Sequence, residues 1–208
     1  MCIHLFFPQT IRLPDSKINK NIRLIRFLNT TTLTVDGLIE SGDIMTTVWQ
    51  KGINSFLPPK FKPQKVLLLG LAGGSNARLI NKYYPQAKIT AVEIDPVMVN
   101  IGRQYFHLDR LKNLHIIVDD AVHYVKNLRP SQTFDLVMID CFVGKEIPKK
   151  LENIVFLKKI KKHSRFVLIN RLWWREGKDA SIRFFRSIRS RLFFVKAHTI
   201  SNIVISLV

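Results

Sequence analysis

The sequence predicts an α/β fold on a mostly parallel seven-stranded sheet. From Lys65 onward, short apolar runs alternate with amphipathic helical segments. The runs VLLLG, FDLVMID and FVLIN are nearly unbroken. That is the pattern of strands covered on both faces of a parallel sheet. The last two apolar runs lie only a few residues apart, too close for a crossover, so they form an antiparallel hairpin.

Each element follows from a local signal. The start, MCIHLFFPQTIRLPD, is apolar but lacks a positive first region and a long apolar stretch. It reads as neither leader nor anchor. Residues 22–39, IRLIRFLNTTTLTVDGLI, alternate and are rich in β-branched residues, with a tight-turn pair at Asp36-Gly37. They predict a short β-hairpin at about 22–40. Residues 43–56 predict a helix that Leu57-Pro58-Pro59 ends, and Lys60–Gln64 lead into the main unit. Strands are then expected at 65–70, 88–93, 114–118, 134–140, 165–170, 191–197 and 202–207. Helices are expected at 75–84, 96–106, 120–128, 149–161 and 177–190. The division is an N-terminal extension, 1–60, and a Rossmann-like unit, 61–208.

Bulk properties exclude several classes. The 208 residues suffice for one α/β core, and 47% hydrophobic content rules out a disordered chain. No run of about 18 apolar residues predicts a membrane-spanning helix. Cys2 and Cys141 are the only cysteines and lie far apart, and the histidines lack ligand spacing. Neither a disulfide framework nor a metal site is expected, and a cytoplasmic location fits. The formal charge of +18 raises contact with a polyanion, nucleic acid above all, as one reading. The other is that basic side chains cover solvated faces. In 145–165, Leu151, Ile154, Val155, Leu157 and Ile160 can face the sheet with lysines outward. In Asn170-Arg171-Leu172-Trp173-Trp174-Arg175, the tryptophans can stack a planar group, with an arginine on a phosphate, or can cap the core. Arg183, Arg186 and Arg189 read as a solvated stripe.

The chemistry concentrates in 65–95, KVLLLGLAGGSNARLINKYYPQAKITAVEID. A strand meets the turn Gly70-Leu71-Ala72-Gly73-Gly74, a helix follows, and the next strand ends in Glu93. Small residues let backbone approach a ligand, and the helix N-terminus offers free N–H groups. An acid roughly 20 residues beyond the turn can take both hydroxyls of a ribose. Asp119 and Asp120 sit where the third strand of this unit ends. One can cap the next helix, and the other can accept from an adenine amino group. Asp140 stands at the tip of the fourth. All of these lie at the carboxyl edge, where open α/β sheets bind ligands. An adenosine-type cofactor is therefore expected.

These residues carry a resemblance. VLLLGLAGGSNARLI, AVEIDPVMVNIGRQYF, VDDAVHYV and FDLVMIDCF resemble the spermidine synthase family and its spermidine-synthase-like methyltransferase relatives. LTVDGLIESGD is similar to the end of that family's N-terminal hairpin motif. The resemblance implies a class I S-adenosylmethionine (SAM) methyltransferase fold. It implies that Gly70, Ala72 and Gly74, with Gly73 between them, cradle the cofactor's amino-acid portion. It places Glu93, beside Ile94, on the ribose, and Asp120 and Ala121 on the adenine. Asp140 would line the reaction centre as the candidate catalytic residue. A homodimer also fits the resemblance.

The chain departs from an aminopropyltransferase in one place that matters. The family segment after the fourth strand of this unit supplies a second Asp that deprotonates the attacking amine. Here Asp140-Cys141-Phe142-Val143-Gly144 puts Val143 there. Glu40 replaces the family's Gln, and the Tyr-His pair of the polyamine pocket is missing. The expectation is a SAM-dependent methyltransferase of unknown acceptor. The alternatives are an aminopropyltransferase using decarboxylated SAM, and an inactive cofactor- or nucleic-acid-binding relative.

Overall fold

The computed structural model describes residues 7–144, 146–199 and 201–207. The first residues of the apolar start, Cys2 among them, lie outside the described residues, as does Lys145 of the basic segment.

The N-terminal strands β1 (Gln9–Arg12), β2 (Arg23–Phe27), β3 (Thr30–Val35) and β4 (Leu38–Ser41) form an antiparallel sheet in that order. Asp36 and Gly37 join β3 to β4 with φ of 48° and 80°. Both are left-handed, as a two-residue type I′ hairpin requires. The expected hairpin region thus forms three strands, β2 to β4, of a four-stranded sheet. All four residues of β1 are exposed, so no burial alternation marks it in the sequence. Leu13, Ile22, Leu24, Leu33 and Val35 pack on Met98, Ile101 and Phe106. These three belong to helix α3 (Pro96–Phe106).

Helix α1 (Asp43–Phe56) leads into the larger sheet. Its strands are β5 (Lys65–Leu69), β6 (Lys88–Glu93), β7 (Leu114–Val118), β8 (Phe134–Ile139), β9 (Ser164–Leu172), β10 (Phe194–His198) and β11 (Asn202–Leu207). They run in the order β10-β11-β9-β8-β5-β6-β7. β5 to β9 are parallel, and β11 is antiparallel to both neighbours. The remaining helices are α2 (Ser75–Tyr83), α4 (Ala121–Lys126), α5 (Ile154–Lys162) and α6 (Arg175–Ile188).

Alternation explains the unbroken apolar runs. Val66, Leu68, Leu136, Met138 and Leu168 join the core under α1 and α2. Leu67, Leu69, Val137, Ile139, Val167 and Ile169 join the opposite one, with Phe156, Leu157 and Ile160 of α5 and Phe184, Phe185 and Ile188 of α6. Successive side chains point to opposite faces, so a strand covered twice has no polar side.

Boundaries differ from expectation where caps decide them. A 3-10 turn, Lys149–Glu152, precedes α5, whose N-cap Asn153 accepts from the Val155 N–H. That cap sets the helix frame. Phe156 faces the core, and Val155, expected there, is 71% exposed.

Candidate active site

The order of the sheet reverses between β5 and β8, which leave for opposite sides. Such a switch opens a crevice beyond the carboxyl ends. Gly70 follows β5 and Asp140 follows β8. The Asp140 N–H donates to the Leu69 carbonyl at 2.7 Å, and the Gly70 N–H donates to the Val92 carbonyl at 2.9 Å. Gly70 has φ of 87°, and a Cβ there would lie 2.1 Å from the Asp140 carbonyl oxygen. Only glycine meets both constraints.

A cleft of about 100 Å³ opens at this switch. It is bordered by Gly70, Ala72, Glu93, Ile94, Asp120, Ala121 and Asp140, all anticipated from the sequence. Gly73 and Gly74 do not border it. The Gly73 N–H donates to Ser41 Oγ at 2.8 Å. Gly74, the left-handed N-cap of α2, packs against Leu108. These two glycines shape the turn from behind.

Glu93 is 8% exposed, and both its oxygens are engaged. Oε2 accepts from the Leu71 and Ala72 N–H groups at 2.9 and 3.0 Å, and Oε1 from the Asp95 N–H at 3.0 Å. Charged acceptors make the stronger hydrogen bonds, so Glu93 fixes the glycine-rich turn and faces the cleft at once. Asp95 caps α3 and accepts from the Ser16 hydroxyl and, at 2.6 Å, from Asn19 Nδ2. This ties the segment between β1 and β2 to the cleft, and Asn19 becomes part of its wall.

Asp140 is held from two sides. Trp49 Nε1 of α1 donates to Oδ2 at 2.8 Å, and Asn170 Nδ2 of β9 donates to Oδ1 at 2.9 Å. Asn202 Nδ2 in turn donates to Asn170 Oδ1 at 3.0 Å. Burial raises the Asp140 carboxyl, the two donors lower it and the Glu93 charge raises it, with a net upward shift. Glu40 also lines the cleft. Burial, then the Asp140 and Glu93 charges, push its carboxyl up to about 8. The Cys141 thiol is pushed up as well, mainly by burial.

Asp120 performs the capping alternative. Its Oδ1 accepts from the Val122 and His123 N–H groups at 2.8 and 3.1 Å, and Oδ2 pairs with Lys150. Burial raises its carboxyl, but Lys150 and the two amides outweigh this and hold it below the usual range. Asp119, also on the wall, contacts His123 Nδ1 at 2.9 Å.

Lys150, Trp49, Asn170 and Asn19 were not among the residues picked from the sequence. Asn170 ends the run FVLIN near the carboxyl edge, a polar residue where the fold puts its ligands. Trp49 reads as an ordinary core position, and Lys150 is hidden among lysines. Glu40 was visible as the departure from the hairpin motif. Of the two tryptophans, Trp173 packs against Phe185 and His198, whereas Trp174 is 39% exposed. Arg183, Arg186 and Arg189 are exposed. No helix among the described residues is long and apolar enough to cross a membrane.

This strand order, with its terminal antiparallel hairpin and its glycine-rich turn and acidic tips at one edge, defines the class I fold of SAM-dependent transferases. The chain belongs to the spermine/spermidine synthase domain family, whose profile matches residues 53–170. It is 39% identical over 84 residues to an eEF1A lysine and N-terminal methyltransferase homolog of Drosophila pseudoobscura, covering 40% of this chain but 12% of that relative. It is 27% identical over 205 residues to the polyamine aminopropyltransferase of Chromobacterium violaceum, covering 95% of this chain and 77% of that one. Among solved structures, human methyltransferase-like protein 13 in complex with SAH superposes with a TM-score of 0.62 at 20% identity, over 79% of this chain and 82% of that one.

Proposed function

We propose that the chain is a SAM-dependent transferase, and a methyltransferase rather than an aminopropyltransferase. The cleft suits a nucleoside bearing one positive charge. Val92, Ile94, Met98, Ala121 and Leu151 give it an apolar wall, and Glu40, Glu93, Asp119, Asp120 and Asp140 bring carboxylates against one lysine, Lys150. In this reading Glu93 takes the ribose hydroxyls. Ile94, Asp120 and Ala121 take the adenine. Gly70, Ala72 and Asp140 take the amino-acid portion. Two relatives support it, one named as a methyltransferase and one as an aminopropyltransferase.

Held by Gly70, Ala72, Glu93, Asp120 and Asp140, the cofactor would supply a methyl group already activated by its sulfonium. The chain's part is positioning and electrostatics. Trp49 and Asn170 fix Asp140, and the acidic wall favours the cation. The observation that carries methyl over aminopropyl transfer is Val143. It lines the cleft where the family's amine base belongs, and it cannot accept a proton.

Calorimetry with SAM, decarboxylated SAM and S-adenosylhomocysteine tests this. Binding of the two carboxylated forms in preference to the decarboxylated one is expected. The reverse preference overturns the ranking, and no binding of any of them overturns the transferase reading.

A further inference from the structure

A second cavity, of about 450 Å³, adjoins the first across Phe142, which borders both. The 3-10 turn serves both sides: Lys150 and Leu151 face the first cavity, Lys149 and Glu152 the second. The chemistry changes across this partition. The second cavity is lined by Lys149, Arg171, Arg175 and Arg183 against Glu146 and Glu152, with Trp174 on its wall.

Arg171 is 2% exposed. Its Nε donates to Ser181 Oγ at 3.2 Å, its Nη2 pairs with Glu152 at 2.6 Å, and its guanidinium lies 4.1 Å from the Phe184 ring centre. Its Nη1 has no hydrogen-bond partner among the described residues. Buried donors of this kind are nearly always satisfied, and leaving a charged one unmade is costly. A second feature points the same way. Helix α6 begins at this cavity, and its N-cap Trp174 provides no side-chain hydrogen bond. A helix N-terminus with open amides attracts an anion. Arg175 holds φ of 48°, an uncommon conformation for a residue with a side chain, and places its guanidinium 4.5 Å from the Trp174 ring centre.

We propose that this second cavity is the acceptor site and that the acceptor is a small oxyanion, a carboxylate or phosphate ester with an aromatic or apolar body. The incompletely paired Arg171 guanidinium draws the anionic group toward the N-terminus of α6 and Arg175, and Trp174 packs on the body. The proposal rests on the transferase reading above, for which it supplies the second substrate. Phe142 borders both cavities, and the acceptor end remote from the anion has to pass it to meet the cofactor. A polyamine does not suit this cavity, because among the described residues four cationic side chains line it against two carboxylates and repel a polycation.

The test is calorimetric titration of the full chain, with and without S-adenosylhomocysteine, using benzoate, phenyl phosphate, benzylamine as the cationic control, and a single-stranded oligonucleotide. Benzoate or phenyl phosphate is expected to bind at least about tenfold more tightly than benzylamine. Comparing the two acids separates carboxylate from phosphate chemistry. Trp174→Ala and Arg171→Lys, which keeps the charge but loses the fork, are each expected to weaken the acid by about tenfold while the S-adenosylhomocysteine affinity stays put. Arg183→Ala, at an exposed position, carries the test should Arg171→Lys fail to fold. Benzylamine binding as well as the acids, an acid affinity unmoved by Trp174→Ala, or a response to the oligonucleotide alone overturns the proposal. Failure of S-adenosylhomocysteine to bind, with the acid pattern intact, removes the cofactor reading and leaves the anion site standing.

Discussion

The two cavities that meet at Phe142 are a few residues apart along the chain and opposite in charge. Glu40, Glu93, Asp119, Asp120 and Asp140 line one with a single lysine, and four cationic side chains face two carboxylates in the other. The chain as a whole has 33 basic and 15 acidic residues, so the acidic cavity runs against its own background. Net charge therefore predicts the solvated faces and the second cavity, but not the first. What makes the first acidic is topology: three parallel strands deliver their terminal carboxylates to one edge.

That edge is a backbone construction before it is an electrostatic one, and breaking the backbone has the largest expected effect. In Gly70→Ala the new Cβ meets the Asp140 carbonyl oxygen at 2.1 Å with φ still positive. A loss of about 3 kcal/mol or more is expected from the combined strain and overlap, read as the shift in urea midpoint. Retained stability would show that β5 and β8 separate easily and that the switch point is soft. Next comes Glu93→Ala, which removes the acceptor for three N–H groups. Cofactor affinity is expected to fall by about 1–3 kcal/mol, the usual cost of losing charged hydrogen bonds. An unchanged dissociation constant in calorimetry would remove Glu93 from the site.

How much of this was legible follows from where the signals live. Strands β5, β8 and β9 were readable because burial on both faces leaves an unbroken apolar run in each, Val66–Leu69, Leu136–Ile139 and Phe166–Ile169. Gly70, Glu93 and Asp140 were readable because each terminates such a strand. The turn's other glycines were read as ligand contacts, but Gly73 and Gly74 serve packing against Ser41 and Leu108. A glycine needed by a neighbour looks the same in sequence as one needed by a ligand. β1 was invisible because it is exposed throughout. The pairing of Trp49 with Asp140 spans 91 residues, and nothing local encodes it. In the tryptophan pair the sequence offered core or cavity for both, and the fold divides them, Trp173 to the core and Trp174 to the cavity.

Glu40 sharpens the comparison through pH. Its folded carboxyl titrates at about 8, raised from 4.5. Below 4.5 both folded and unfolded chains hold the proton, so Glu40 has no effect there. Between 4.5 and about 8 the unfolded chain releases it first and the folded chain keeps it. Stability therefore falls as pH rises through this window and levels above it. Asp140, also shifted upward, contributes in the same sense. Glu40→Gln removes the Glu40 share of the slope. The variant is expected to gain about 1–2 kcal/mol over the parent at alkaline pH and nothing at acid pH, in urea unfolding followed across the range. A parallel pH profile in parent and variant would mean that Glu40 is solvated and ionised in the folded chain, and that the first cavity is wetter than the burial of this carboxyl implies.

The smallest effect isolates charge from shape. Lys150 is the one cation on the acidic wall among the described residues, and its pair with Asp120 is open to solvent, with side-chain exposures of 52% and 25%. Such pairs contribute about 0–1 kcal/mol, so Lys150→Ala is expected to leave stability almost unchanged, while the carboxyl of Asp120 loses its strongest downward pull. The informative quantity is the ratio of affinities for SAM and S-adenosylhomocysteine, which differ by a methyl and a sulfonium charge. Removing Lys150 makes the cavity more negative and should move the ratio toward SAM. Measured above pH 8, where Glu40 is ionised, Glu40→Gln makes it less negative and should move it the other way, each by about 0.2–1 kcal/mol and less at high salt. Opposite signs for the two variants would establish that the first cavity reads charge. A ratio unmoved by both would reduce the contrast between the cavities to one of shape, leaving Ile94, Met98 and Leu151 to explain what binds there.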